Sequence, residues 1–454
     1  MGLIIVSSSV LLVARIASVA WRGSFRFSAG AVYLPLILFL GYVSVQAVLW
    51  RTDGGFWSVH TVERHSTILY LLLAFSCTAI LFLVHNGFDS RRWIRWLMIG
   101  VLALGSFESL YGLVQYLGGH EFIWHFERIS YRGLATGTFI NRNHYALFLN
   151  LAISVGVGFL YYRSRKILGK GNAPFWHIIV HPAAAKLLWI LLIVALMGLA
   201  LVFSMSRMGI AAMLGSIGMM IAAVHSAESG RRGTVIGALL LAIVVVLAVY
   251  TGIEPVIDRF EKVGKIWEED QDRIAIWKDA WPMVKENVLF GQGLGSFQWT
   301  YPAYETMMPD RPARYAHNDY LQALAEVGGV GLLLLLAAAV ALGRTALKNL
   351  RNSDPLTAAV GLMTIGVLTA VALQEITDFG LYIPGVAVLV AVLAGLNLRA
   401  ARTNRFPQAD DNPNNGAGTK MAARSHRVAS DGSFSRHLRH LPRSAIADAP
   451  CVKS

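Results

Sequence analysis

The sequence predicts an all-α fold, a polytopic transmembrane helical bundle of about 11 to 12 spans with one long loop on the outer side. Three observations predict it. Hydrophobic residues make up 55% of the chain and charged residues only 15%, well under the ~25% of soluble domains. The apolar residues arrive in unbroken blocks such as Trp189 to Phe203 and Leu239 to Tyr250. One segment, 253–315, breaks the pattern with 11 acidic and 8 basic residues. A soluble cytosolic enzyme is excluded.

In chain order, spans centred near residues 11, 40, 75, 106, 152, 195, 216 and 242 occupy 1–252. A loop with interfacial helices fills 253–315, and spans near 332, 365 and 387 occupy 316–398. The first block lacks a basic leader and contains Arg15, so it reads as a membrane helix and not as a cleaved signal peptide. The tail, 399–454, carries 10 basic and 4 acidic residues around Asn412-Pro413-Asn414-Asn415-Gly416 and cannot bury enough apolar surface to fold. Cys77 and Cys451 lie in unlike surroundings, which predicts neither a disulfide nor a cysteine metal site. There is no 20 to 50 residue repeat and no pair of broken helices of the transporter kind.

The net charge of +13 is spread among connections and tail, so nucleic acid is not an expected partner. If connections alternate sides, one set carries fifteen basic residues, among them Arg91, Arg92, Arg95 and Lys166. The short connections of the other set carry six: Arg51, Arg64, Arg128, Arg132, Arg142 and Arg207. The richer set belongs in the cytoplasm, with the tail, and the acidic loop belongs outside.

Three places at the outer ends of spans carry chemistry. The turn Ser204-Met205-Ser206-Arg207 puts Arg207 at a helix start, where a cation is disfavoured unless an anion, or a lipid phosphate, sits between it and the free backbone N–H groups. In the acidic loop, Arg273 follows Asp272 and suits either an anion or a surface ion pair. Trp277 and Trp281 share a helical face with Ile274, as in a helix lying at the membrane interface. Gly291-Gln292-Gly293-Leu294-Gly295 matches no nucleotide-binding spacing and reads as a turn. His317, in Tyr315-Ala316-His317-Asn318-Asp319, stands at the water boundary, where it suits a general base or a hydrogen-bonded interfacial histidine. A metal at His317 and Asp319 lacks a clear further ligand, since Asp378 shares only their side of the membrane, so no metal is expected.

These segments together resemble the O-antigen ligase and polymerase superfamily of bacterial membrane proteins over roughly residues 100 to 390. The resemblance rests on the order of Gly137-Thr138-Phe139-Ile140-Asn141-Arg142-Asn143-His144, Ser206-Arg207, Arg273 with Trp277, the glycines at 291 to 295, His317-Asn318 with Gly328, and Asp378-Phe379 before Pro384. Ala211, where ligases often have Leu, and Asn287-Val288, where Pro often precedes the glycines, depart from the ligase pattern.

The resemblance implies a GT-C-like glycosyltransferase of the bacterial inner membrane, without metal, nucleotide sugar or other cofactor. It would move a glycan from an undecaprenyl diphosphate-linked donor to a hydroxyl of lipid A core or of a growing glycan, at the periplasmic face and with inversion. Carried onto this chain, Arg207 and Arg273 would hold the diphosphate and His317 would activate the acceptor. Arg142, Asn143, Asn318, Asp319, Trp277 and Asp378 are supporting candidates, with Trp277 either stacking on sugar or anchoring the loop in lipid. A ligase leads, ahead of an O-antigen or exopolysaccharide polymerase and a protein O-oligosaccharyltransferase. A bicarbonate or small-anion transporter is the non-enzyme alternative, and for that only Glu108, Glu326 and Glu375 fall within spans.

The charge asymmetry makes the topology testable. A reporter active only outside the cytoplasm is expected to work when fused near Glu268, and a cytoplasmic reporter near Lys166 and near Arg402. Activity of the cytoplasmic reporter at Glu268 overturns the orientation.

Overall fold

The computed structural model describes residues 1–21, 28, 30–49, 59–87, 90–168, 181–182, 184–227, 266–306 and 313–403. The span expected near 242, residues 253–265 of the loop and the tail from 404 onward lie outside the described residues. The other ten expected spans are all helices. They are α1 (Gly2–Trp21), α2 (Tyr33–Val48), α3 (Arg64–Gly87), α4 (Arg91–Gly118), α5 (Arg142–Leu168), α6 (Ala184–Phe203) and α7 (Arg207–Ala227), then α10 (Asp319–Leu350), α11 (Pro355–Gln374) and α12 (Pro384–Thr403). Eight of these are long and apolar enough to cross a membrane, and α2 and the opening of α1 are shorter apolar helices. Between α7 and α10 lie α8 (Ile266–Glu286) and the single turn α9 (Phe297–Thr300). The chain is thus a polytopic helical membrane protein. The one sheet among the described residues, which the sequence did not suggest, is a hairpin of β1 (Phe122–Ile123) and β2 (Phe126–Glu127) after α4.

Helix α5 sits at the centre, with 94% of its spanning window buried. Helices α4, α6, α7 and α11 surround it. Lipid tails are as apolar as leucine, so such helices join through close packing at small residues. A Cβ on Gly158 of α5 would stand 2.9 Å from the Ala359 carbonyl oxygen, and one on Gly361 of α11 2.5 Å from that of Ala346. The outer helices keep apolar residues on their free faces instead, as Leu104, Phe107, Leu110, Val114 and Leu117 do on α4.

Helix α10 is broken at Gly328, whose φ of 62° and ψ of −172° belong to a region essentially reserved for glycine. A break inside a span strands backbone groups that must find partners within the protein. Here the segment before α9 supplies them. Gly329 N–H donates to the Val288 carbonyl (2.7 Å) and Val330 N–H to that of Leu289 (3.1 Å), while the carbonyls of Ala325 and Glu326 accept from Gln292 (3.0 Å) and Gly293 (2.8 Å). Gln46 of α2 closes the junction by donating to the Phe290 (2.8 Å) and Glu326 (3.2 Å) carbonyls. Residues 288–293 are therefore docked by backbone pairing onto a span.

A Cβ on Gly328 would lie 2.3 Å from the Leu289 carbonyl oxygen, whereas one on Gly329 meets only Val288 O at 3.5 Å. Gly328→Ala is expected to destabilise the purified protein by about 1–3 kcal/mol or more, read as a lower melting temperature, with Gly329→Ala close to wild type. Equal melting of the two variants contradicts this account of the break.

Candidate functional site

At one end of the bundle, α5 opens with Arg142 and Asn143 and α7 with Arg207 and Met208. The Ser204–Ser206 turn makes a sharp reversal into α7, with Met205 in the left-handed region at φ 53°. Ser206 Oγ accepts from the Gly209 N–H (3.2 Å), which caps α7, and donates to Asn143 Oδ1 (2.8 Å). The Asn143 carbonyl accepts from Gln374 Nε2 (2.6 Å), at the end of α11. Asn150 Nδ2 then joins Gly209 O (2.9 Å) to Gln374 Oε1 (3.2 Å). Three spans are locked to one another at the point where two of them present arginines.

Helix α8 brings the third. Ile276, Ala280, Met283 and Val284 on one side of α8 pack with Phe297, Tyr301, Ala316 and Ala325 into a small core of their own. This packing sets Arg273 and Trp277, one turn apart, toward α5 and α7. The result is a cavity of about 310 Å³ lined by Arg142, Asn143, Arg207, Met208, Arg273, Ile274, Trp277 and Thr377. None of these described lining residues is acidic. The first residues of α5 and α7 are in the lining, so the positive ends of two helix dipoles point at the same space as the three guanidinium groups. Helix starts and guanidinium groups of this kind are suited to hold an anion.

His317 stands beside this cavity and not in its lining. Its φ of 49° turns the chain immediately before α10. The segment is pinned on both sides. Trp277 Nε1 donates to the Ala316 carbonyl (2.8 Å), Ala316 N–H donates to Gln322 Oε1 (3.0 Å), and Asn318 Oδ1 accepts from the Leu321 N–H (3.0 Å) as the cap of α10. The imidazole packs edge-on to Phe379 at 4.9 Å, and its Nδ1 has no hydrogen-bond partner. Burial, and next the Arg273 guanidinium, push His317 down to about 4, against an upward pull from Asp378. At neutral pH the ring is uncharged and able to accept a proton.

Phe379 carries a second histidine, His144, edge-on at 4.7 Å, and His144 Nε2 lies 3.5 Å from Asp378 Oδ1. Both residues are buried. Asp319 turns away from the cavity, where its Oδ2 accepts from the Leu381 N–H (3.2 Å). Glu375, beside it, accepts from the Gly380 N–H (2.7 Å), and burial together with the Asp319 carboxyl raises its pKa.

Of the residues marked from sequence, the cavity gathers Arg142, Asn143, Arg207, Arg273 and Trp277. Asn318 serves as a helix cap, Asp319 braces the α11–α12 connection, and Asp378 lies beside His144. Trp277, expected either to stack on sugar or to anchor the loop in lipid, is half-buried, lines the cavity and donates to the carbonyl of the residue before His317, while Trp281 is 49% exposed. The three glutamates considered for transport each bind a loop to a helix. Glu108 accepts from Thr138 N–H (2.8 Å) and Oγ1 (2.6 Å), and Glu326 from Gly295 N–H (2.6 Å), Phe297 N–H (3.2 Å), Gln322 Nε2 (3.1 Å) and the Tyr382 hydroxyl (2.5 Å). Met208 and Thr377, which line the cavity, and His144, Gln374 and Tyr382, which contact residues around it, were not marked from sequence. The one available signal was that polar residues crowd the helix starts at 141–144 and the segment 374–382. Among the described residues, no three His, Cys, Asp or Glu side chains come together as a metal cage.

Residues 192–336 match a family model described as O-antigen ligase, a stretch that runs from within α6 to within α10 and includes Arg207, Arg273 and His317. No curated protein matches the sequence.

The environment of His317 gives a measurable consequence. Its protonation in the folded protein is expected near pH 4, so between there and the unfolded value of ~6.5 the unfolded chain binds more protons and stability falls as pH falls. Titration of labelled histidine by NMR, with His317→Gln for assignment, reads it directly. Protonation of His317 at or above pH 6.5 in the free protein contradicts it.

Proposed function

We propose that this chain, a member of the O-antigen ligase and polymerase superfamily, transfers a glycan from an undecaprenyl diphosphate-linked donor to an acceptor hydroxyl at the periplasmic face of the bacterial inner membrane. The observation that carries the reading is the meeting of Arg207 and Arg273, far apart in sequence and on separate helices, in one cavity, with His317 close enough to feel the Arg273 charge. The volume, about 310 Å³, is at the small end of the ~300–1,000 Å³ usual for ligand sites. That suits a diphosphate head group, with the glycan and the lipid chain outside.

In this reading Arg207 and Arg273 clamp the diphosphate. The acceptor oxygen attacks the anomeric carbon from the side opposite the diphosphate, and the configuration inverts. As the new C–O bond forms, the old one breaks and its electron pair stays on the diphosphate oxygen, where the guanidinium groups offset the added charge. The acceptor proton passes to the neutral His317 imidazole. A diphosphate is a good leaving group, so neither a general acid nor a metal is required of the protein. Trp277, through Ala316, acts as a positioning residue for the base. The family description favours a ligase, which uses the same donor chemistry as a polymerase.

The test uses purified protein, lipid-linked glycan and acceptor. His317→Ala is expected to lower transfer by about 10²–10⁴ while donor binding persists. Arg207→Ala and Arg273→Ala are expected to weaken both donor binding and turnover, and Arg273→Lys to impair transfer because the planar fork is lost. Transfer is expected to survive EDTA. Wild-type rates for His317→Ala across pH 6 to 8, or unchanged donor affinity in both alanine variants of the arginines, refute the assignments. In a deletion strain, full-length lipid-linked chains accumulate if the protein is a ligase, and single repeat units if it is a polymerase.

A further inference from the structure

Two buried carboxyl groups near the base play no part in the transfer proposed above. Asp319 opens α10, two residues after His317, and is 7% exposed, while Glu375 directly follows α11 and is 1% exposed. Each is half satisfied. Asp319 Oδ2 accepts from the Leu381 N–H (3.2 Å) and Glu375 Oε2 from the Gly380 N–H (2.7 Å). The other two oxygens, Asp319 Oδ1 and Glu375 Oε1, are buried without a donor, although the two side chains lie within hydrogen-bond reach of each other. The backbone holds them together, since the Asp319 N–H donates to the Glu375 carbonyl (3.0 Å).

Two ionised carboxylates are unstable in such contact, because each offers only acceptors and the like charges repel. One proton removes both difficulties. The protonated carboxyl donates to its neighbour, both unpartnered oxygens are satisfied by one bond, and the pair keeps a single negative charge. The surroundings oppose a second one. Asp378 and Tyr382 face the pair from the α11–α12 connection and Glu326 and Tyr320 from α10, and none of these four side chains carries positive charge. Beyond Asp378 come His144 and His317.

We propose that Asp319 and Glu375 share one proton in a carboxyl–carboxylate hydrogen bond, and that this bond positions His317 by fastening the start of α10 to residues 375–381. That stretch carries Phe379, edge-on to the His317 ring, and Asp378, whose charge acts on it. Loss of the proton sets two charges face to face, pushes the start of α10 off the connection and displaces the base. Asp319 and Glu375 are thus positioning residues. Their link to catalysis rests on the transfer proposed above, whereas the shared proton does not. The fold raises Glu375 above its unfolded value of ~4.3, so the folded pair keeps a proton that the unfolded chain has released. The stability this contributes is complete at acid pH and declines as pH rises, until the folded pair has lost the proton too.

The experiment lets an amide stand in for the proton. In Asp319→Asn the amide oxygen takes the Leu381 N–H and the NH₂ group donates to Glu375; Glu375→Gln does the reverse, and each keeps one negative charge. The double variant turns two NH₂ groups on each other. Melting of the full-length purified protein is followed from about pH 6 to 10. Near neutral pH both single variants are expected to melt within about 2 °C of wild type, and the double variant about 2–4 °C below the sum of the two single effects. Toward high pH the wild type is expected to lose melting temperature more steeply than either single variant. In the transfer assay Glu375→Gln is expected to hold its rate to higher pH than wild type, and Asp319→Ala to lower kcat by about 10–100-fold. Parallel pH profiles for wild type and both single variants overturn the shared proton, as does a double variant no worse than additive. If the double variant does not accumulate, the single-variant profiles decide. An alkaline limb of transfer that is the same in wild type and Glu375→Gln overturns the positioning role. A wild type that melts as expected yet transfers no glycan from any lipid-linked donor sinks the glycosyltransferase reading and leaves the shared proton standing.

Discussion

Two helices that each open with an arginine, α5 and α7, meet at one small cavity, and the hydrogen bonds at this end of the bundle hold them together. Arg142 and Arg207 cannot drift apart because the residues next to them are tied together, Ser206 to Asn143 and Asn143 to Gln374. The tie is made of neutral groups, of which Ser206 and Gln374 are buried, so that their hydrogen bonds are costly to leave unmade. It also couples α5, α7 and α11, the helices that pack most closely through small residues. The rigidity of the core and the placement of the cations are therefore one property of the fold.

Arg273 reaches the cavity by another route. It sits on α8, outside the spanning bundle, and its position depends on how firmly that segment is docked. Two devices dock it. Backbone groups freed by the break at Gly328 pair with residues 288 to 293, and the buried Glu326 carboxylate gathers N–H groups from Gly295 and Phe297 together with the Tyr382 hydroxyl. A carboxylate inside a span is expensive unless satisfied in this way. The glutamate that looked, in sequence, like a transport residue is a fastening for the loop that carries the third arginine.

The legible part of this molecule is what leaves a local or periodic mark. Apolar blocks placed ten helices within the described residues, eight of them long and apolar enough to cross a membrane, and cations at a helix start and in the acidic loop singled out Arg207 and Arg273. The turn at Gly291 to Gly295 was readable from composition. What stayed hidden depends on contacts between distant segments. Trp277 showed an interfacial pattern, yet its indole N–H is bound to Ala316, and nothing in the spacing of α8 announces that partner. Asn318 carried no mark to separate a helix cap from a ligand-binding amide. His144 was read only as part of a helix opening, because its nearness to Asp378 arises from residues more than two hundred positions apart in the chain. The break at Gly328 was equally silent, since a glycine within an apolar run also reads as a packing residue.

The placement of His317 joins the two halves of the site electrically. Its basicity is held down by burial and by Arg273, so in the free protein it is a weak base. In the proposed transfer, a diphosphate bound against Arg273 would offset part of that positive charge. The depression of the histidine would then relax, and the affinity of the ring for a proton would rise with the donor in place. By the reciprocity of linked equilibria, a protonated His317 must in turn hold the anion more tightly. Under that proposal, proton uptake from the acceptor and growth of negative charge on the leaving group would support each other within the same step. On the proposed roles, a base tuned in this way would be weak with no donor bound and strongest as the anomeric bond breaks, and Arg273 would set the moment at which the acceptor is activated.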